Sequence, residues 1–160
     1  MSDKLHILLV ASAGGHWIEL VRLRKAWKGL RASYLTTDPG LADAVREMSS
    51  REGQDLAGFH VVPEANRWQK RRLVALVFRM TYLLVRLRPD IVLTTGAAPG
   101  YLALRIGKLL GARTVWIDSI ANADELSLSG QKAGRCADLW LTQWEHLARP
   151  GGPRYMGTVL

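Results

Sequence analysis

The sequence predicts an α/β domain built on a doubly wound parallel sheet. Two observations carry this. Short continuous apolar runs alternate with longer stretches of helical periodicity, the pattern of repeated βαβ units. Small, polar or glycine residues follow most of the apolar runs, as at the carboxyl ends of parallel strands. The chain has 160 residues, 48% of them apolar. That is enough to bury a core, and it suggests one domain spanning 1–160.

The elements follow in order. "LHILLVA" (5–11) is a continuous apolar run, as expected of a strand buried on both faces. From His16 to Lys28, Trp17, Leu20, Val21, Leu23 and Trp27 recur at helical spacing. "ASYLTT" (32–37) reads as the second strand, and Pro39 opens a helix to about Ser49. "FHVVP" (59–63) is a short third strand. A helical stretch from Asn66 to Arg88 is stopped by Pro89. "DIVLTT" (90–95) is a buried strand, followed by the loop 96–100 and a helix to about Leu110. "ARTVWID" (112–118) and "ADLWLTQ" (137–143) are the fifth and sixth strands, separated by a polar stretch. The tail from Arg149 is loop-like, with a last short strand near Met156. No internal repeat or low-complexity segment is present.

The formal net charge is +8. Such an excess suggests an anionic partner: phosphate, nucleic acid or an acidic membrane surface. The single Cys136 excludes a disulfide framework and fits a reducing, cytoplasmic compartment. Four scattered histidines and one cysteine make no metal-ligand pattern, so neither metal nor cofactor is expected. The 5–11 run is too short to span a membrane and lacks a signal-peptide cleavage region.

The loops after the strands form one set: Ser12–His16, Thr36–Asp38, Thr94–Gly100, Asp118–Asn122 and Thr142–Glu145. Together they predict a polar site along one edge of the sheet. Thr36, Thr37 and Thr94 read more simply as turn and capping residues. Gly14-Gly15-His16 and the 96–100 loop read as functional. A glycine turn that opens a helix offers backbone N–H groups at the positive end of the helix dipole. "ASAGGHW" does not make a dinucleotide fingerprint, because Trp17 stands where a third glycine is needed. Asp38 after the second strand is weak support for that alternative. His16 sits at the helix N-terminus, where the dipole disfavours a charged ring. A neutral imidazole there can act as a general base. The alternative is a histidine that caps its own helix or bonds a neighbouring loop. The residues alone do not choose between these readings.

"RWQKRRLVALVFRMTYLLVRLRP" (67–89) contains Arg67, Lys70, Arg71, Arg72, Arg79, Arg86 and Arg88 and no acid. Arg72, Arg79 and Arg86 form one stripe. Leu73, Leu76, Val77, Met80, Leu83, Leu84 and Leu87 form an apolar face, and Val74, Phe78, Tyr82 and Val85 extend it. A packing helix needs only one such face. The surplus suits a helix lying in an anionic membrane interface, with Trp68 and Arg67, Arg71, Arg72, Arg79 and Arg86 at the headgroups. The alternative is a packing helix with a solvated basic side. No stacking aromatics interleave the cations and no nucleic-acid motif appears, so no nucleic-acid partner is expected.

The polar stretch "DSIANADELSLSGQKAG" (118–134) is long for a compact domain, and such excursions are usually functional. Ser119 and Asn122 are candidates to bind hydroxyl or phosphate groups. Adjacent Asp124 and Glu125 do not converge as an acid–base pair.

Read in order, "ASAGGHWIEL", "RPDIVLTTGAAPG", "WIDSIANADELSLSGQKAG", "TQWEHL" and the closing "YMG" resemble the acceptor-side, membrane-recruiting subunits of two-part glycosyltransferases. One branch of that family serves the addition of the second N-acetylglucosamine to dolichol-linked oligosaccharide. The other serves bacterial exopolysaccharide synthesis and includes glucuronosyltransferase subunits. The resemblance covers nearly the whole chain. It implies a Rossmann-like fold equivalent to the N-terminal half of a GT-B glycosyltransferase, with the donor-binding half on a separate chain. Gly14, Gly15 and His16 match the family's first glycine loop, and Gly96 and Gly100 its second, beside Thr95. Ser127, Leu128, Ser129 and Gly130 match its stretch after the fifth strand. The implied partners are the donor-binding subunit, a polyprenyl-diphosphate-linked sugar and an anionic membrane surface. The implied place is the cytoplasmic face of the bacterial inner membrane, peripherally bound. The eukaryotic branch carries an N-terminal anchor not seen here, so anchoring is expected through 67–88 or through a partner.

Three functional readings follow. The first is a glycosyltransferase subunit active only with its partner, with His16 as base or orienting group. The second is a non-catalytic membrane scaffold for that partner. The third is a nicotinamide-dependent oxidoreductase with Asp38 on the ribose, which the broken fingerprint demotes.

Overall fold

A computed structural model describes residues 4–65 and 68–159. It shows a seven-stranded sheet in the order β3-β2-β1-β4-β5-β6-β7. Every pairing is parallel. The strands are β1 (His6–Val10), β2 (Arg31–Thr36), β3 (Asp55–Val61), β4 (Ile91–Thr94), β5 (Arg113–Ile117), β6 (Leu139–Thr142) and β7 (Arg154–Tyr155). The helices are α1 (Gly15–Arg22), α2 (Ala42–Glu52), α3 (Lys70–Leu87), α4 (Ala97–Leu109) and α5 (Leu128–Ala133).

Two cores explain why the strands read as unbroken apolar runs. Leu8 and Val10 of β1 face one core with Met80 and Leu84 of α3, Leu104 of α4 and Ala133 of α5. Ile7 and Leu9 face the other, with Trp17 and Leu20 of α1 and Val45 of α2. A strand covered on both faces has no polar side to show.

Several boundaries differ from those expected. The first helix ends at Arg22, and a 3-10 turn at Arg24–Trp27 follows it. That tighter turn seats buried Trp27, whose indole N–H donates to the Tyr34 hydroxyl at 3.2 Å. Pro39 lies in a 3-10 turn before α2 rather than inside a helix. β3 begins at Asp55, earlier than its composition shows, because Asp55 and Gly58 are weak strand formers that pairing with β2 recruits. The polar stretch contains α5, a helix too short to show its periodicity. Its N-cap is Ser127, whose Oγ accepts from Gly130 N at 2.8 Å. The last strand lies just before Met156.

α3 buries Leu76, Met80, Leu83 and Leu84 and leaves a second apolar stripe outside. Arg88, in left-handed conformation with φ 43°, ends it before Pro89. Among the described residues, no helix is long and apolar enough to cross a membrane.

Candidate functional site

The strand order reverses between β1 and β4, so the chain leaves these two neighbours in opposite directions. The loops beyond their carboxyl ends therefore diverge and open a crevice. The first loop carries Gly14-Gly15-His16 and the second carries Thr95-Gly96.

Gly14 has φ +83° and caps α1 without any side-chain cap at that end. A Cβ on Gly14 or Gly15 would meet nothing within 4 Å, so the turn borders open space. Ala13 N donates to Thr37 Oγ1 at 3.1 Å, which fixes the approach to the turn.

His16 is held by the second loop. Its Nδ1 lies 3.0 Å from the Thr95 carbonyl oxygen, and Thr95 Oγ1 donates to the His16 carbonyl at 2.7 Å. A carbonyl only accepts. In the neutral ring Nδ1 therefore carries the proton, and Nε2 is the acceptor. Gly96 makes room for the ring: with φ +136°, a Cβ there would lie 2.7 Å from His16 Cε1. Thr94 Oγ1 accepts from Gly96 N at 3.1 Å, the turn role expected of this threonine. Ala97 follows at φ 64°, a left-handed conformation rare for a residue with a side chain. Gly100 is buried and has a packing role: a Cβ there would lie 2.0 Å from Thr94 Oγ1. It lets α4 approach β4 and lies off the open loop.

The loop after β5 is organised by two buried carboxylates. Asp118 accepts from Trp116 Nε1, Asn122 Nδ2, Ser127 N and Ser127 Oγ at 2.7–3.2 Å. Glu19 of α1 is 5% exposed and accepts from Ser119 Oγ at 2.6 Å and Gln143 Nε2 at 2.8 Å. Ser119, Asn122 and Ser127 thus spend polar groups within the protein, tying the loop to the sheet. Gly130 is buried where a Cβ would lie 2.3 Å from Asp118 Oδ1. Ser129, half-buried, follows Leu128 on α5. Sequence reasoning placed Gln143 in the set after the sixth strand but missed Glu19, its partner. The available signal was a carboxylate beside Leu20 on the buried side of α1. Gln143 Oε1 also accepts from Val159 N at 2.8 Å, so the tail closes on the same node.

Asp38 Oδ1 accepts from Gly40 N at 2.8 Å and caps the turn that follows it. Trp17 packs on Tyr34 with ring centroids 5.9 Å apart. Asp38 thus serves the turn before α2, and Trp17 belongs to the core under α1. No group of three or more His, Cys, Asp or Glu suited to a metal occurs among the described residues.

On α3, Arg71, Arg72, Arg79 and Arg86 are exposed, and none has an ion-pair partner among the described residues. Val74, Phe78, Tyr82 and Val85 are exposed beside them, Phe78 at 73%. Trp68 is exposed just before the helix, and Arg67 lies outside the described residues. The apolar surface also extends past α3. Leu109, 82% exposed, and Leu110 at the end of α4 share with Val85 a hollow of ≈ 820 Å³ that Arg88, Asp90 and Arg113 also line. These two leucines were not singled out in the sequence.

A seven-stranded parallel sheet with this crevice defines a Rossmann-like α/β domain. Residues 7–159 match the family model described as oligosaccharide biosynthesis protein Alg14 like, and the chain belongs to that family. A mouse (Mus musculus) relative, named UDP-N-acetylglucosamine transferase subunit ALG14, is 27% identical over 173 aligned positions. The match covers 91% of this chain and 78% of that protein. The rat (Rattus norvegicus) protein of the same name is also 27% identical, with the same coverage. Among solved structures, Acinetobacter baumannii MurG superposes with a TM-score of 0.71 at 13% identity, over 95% of this chain and 45% of that one. A UDP-N-acetylglucosamine 2-epimerase from Rickettsia bellii gives 0.64 at 14% identity, over 89% and 40%. The chain spans less than half of these structural relatives.

Proposed function

We propose that this chain is the acceptor-side subunit of a two-chain, membrane-associated glycosyltransferase. A separate chain binds the nucleotide sugar. The acceptor is a polyprenyl-diphosphate-linked sugar of exopolysaccharide synthesis, at the cytoplasmic face of the bacterial inner membrane. The observation that carries the reading is His16, fixed in one tautomer at the point where the sheet reverses. Family membership and the relatives named as transferase subunits support the reaction class.

His16 Nε2 takes the proton of the acceptor hydroxyl. The hydroxyl oxygen then bonds to the donor's anomeric carbon as the bond to the nucleotide diphosphate breaks, with inversion. The Gly14–Gly15 turn and the uncapped N–H groups of α1 hold the acceptor's diphosphate. Thr95 and Gly96 shape the ring's seat, and Asp118 and Glu19 keep the neighbouring loop in place through Ser119, Asn122 and Ser127. The exposed stripe of α3, with Leu109 and Leu110, lies in the membrane interface, and the arginines meet anionic headgroups.

The test is to co-purify the chain with the product of a neighbouring gene and supply a nucleotide sugar and a polyprenyl-diphosphate-linked acceptor. His16→Ala is expected to reduce transfer about 10²–10⁴-fold. Undiminished transfer removes His16 from the chemistry. Full transfer by the partner alone to a soluble acceptor analogue leaves only a scaffold role.

A further inference from the structure

Three polar side chains interrupt the core under α3. His6, Ser33 and His60 each stand two residues before a member of that core: Leu8 on β1, Leu35 on β2 and Val62 just after β3. Residues two apart on a strand share a face. All three therefore lie on the α3 side of adjacent strands.

His6 is engaged. Its ring bonds the Leu87 backbone at the end of α3, and its Nε2 lies 2.8 Å from the Oγ of buried Ser33. His60 is not. Its Nε2 is buried and has no hydrogen-bond partner. The ring lies back over Gly58, where a Cβ would be 2.9 Å from that nitrogen. A neutral ring fits this seat with its proton on Nδ1 and a bare lone pair on Nε2. An imidazolium does not, because it puts a charged N–H where no acceptor waits.

The neighbouring charges act the same way. Arg79 of α3 and His6 of β1 face His60, while Arg31 of β2 and Asp90 before β4 face His6. Of these groups only Asp90 is acidic, and its Oδ2 already accepts from His6 N at 2.7 Å. α3 itself carries no acid. A proton on His60 thus meets cations and no counter-ion while α3 is closed. Once α3 lifts, water solvates the ring. Proton uptake and opening of α3 are therefore linked. A lifted α3 offers Leu76, Met80, Leu83 and Leu84 as well as the exposed Val74, Phe78, Tyr82 and Val85. A bilayer accepts apolar side chains that water does not.

We infer that His60, backed by His6, is a proton-operated catch that releases α3 from the sheet at an anionic membrane. This rests on the membrane placement of α3 proposed above. An anionic leaflet at about −30 mV concentrates protons about threefold at its surface, so the catch opens where the bilayer is.

Hydrogen exchange of the full chain tests the catch. It is measured at pH about 7.5 and about 5.5, either side of the ordinary histidine value, and corrected for intrinsic rates. The amides of residues 76–87 are expected to open more readily than those of β4 at both pH values. They are expected to open about fivefold more readily still at the lower one. His60→Gln should shrink that step, and the His6→Gln, His60→Gln double variant should remove it. If α3 and β4 open together at both pH values, or the step survives in the double variant, the catch is overturned and the membrane placement stands. The first comparison needs no variant. Flotation on phosphatidylcholine vesicles containing phosphatidylglycerol tests the use of the catch. Binding is expected to rise at the lower pH for the unaltered chain and not for the double variant. Equal binding at the two pH values overturns the link between release and the bilayer. A released α3 with no binding to these vesicles at either pH refutes the membrane placement itself.

Discussion

His16 and Thr95 hold one another by two hydrogen bonds: His16 Nδ1 to Thr95 O at 3.0 Å, and Thr95 Oγ1 to His16 O at 2.7 Å. The first fixes which ring nitrogen carries the proton. The second fixes the peptide that carries the ring. Thr95→Val keeps the volume but removes the hydroxyl, leaving the His16 carbonyl without its donor. Transfer by the two-chain enzyme is expected to lose about tenfold in kcat. KM for the nucleotide sugar stays level, and Thr95→Ser restores the rate. Steady-state kinetics over a pH range distinguish lost positioning from lost folding.

Gly96 is the other half of that seat. Gly96→Ala places a methyl group 2.7 Å from His16 Cε1 and forces alanine into φ +136°. The expected cost is about 1–3 kcal/mol of stability. Urea unfolding measures it. The His16 ring resonances, read by NMR, are expected to shift in the folded variant.

Asp118 satisfies four donors at once. Asp118→Ala leaves the indole N–H of fully buried Trp116 without an acceptor and releases Ser127 from the sheet. About 3 kcal/mol of destabilisation is expected. Hydrogen exchange at Ser127 and Gly130 is expected to quicken, and Asp118→Asn to recover part of the loss.

Two histidines beneath α3 give the stability a pH dependence. Burial holds the pKa of His60 below the ordinary 6.5, and Arg79 and His6 push it the same way. Burial also lowers His6, opposed by a hydrogen bond with the Leu87 backbone, with Arg31 lowering it further and Asp90 raising it. The unfolded chain therefore binds protons at a pH where the folded rings resist them. Stability is full above 6.5 and falls as the pH drops from there toward the folded pKa values. Thermal melts between pH 8 and about 5 should show the fall, and the His6→Gln, His60→Gln double variant should flatten it.

The α3 surface makes a separable prediction. Phe78→Ser with Tyr82→Ser is expected to reduce flotation on anionic liposomes. Replacing Arg72, Arg79 and Arg86 with glutamine should abolish the preference for anionic lipid. High salt should mimic the arginine variant and not the aromatic one.

Local patterns made much of this molecule legible. Leu5 to Ala11 read as a strand covered on both sides, and its Ile7, Leu8, Leu9 and Val10 lie between two cores. Gly14-Gly15-His16 read as a turn opening a helix, and α1 begins there. The second apolar stripe of α3 read as surplus, and it stands exposed. These features repeat within a few residues, so the sequence determined them by itself. Other features joined distant positions. Thr95 is 79 residues from His16, and Ser119 is 100 from Glu19. The strand order that opens the crevice, the carbonyl that selects the His16 tautomer and the carboxylates that claim Ser119 and Ser127 depend on which strands pair and how closely helices approach them. Only the tertiary structure decided those, because periodicity reports which face a residue prefers and not which partner waits there.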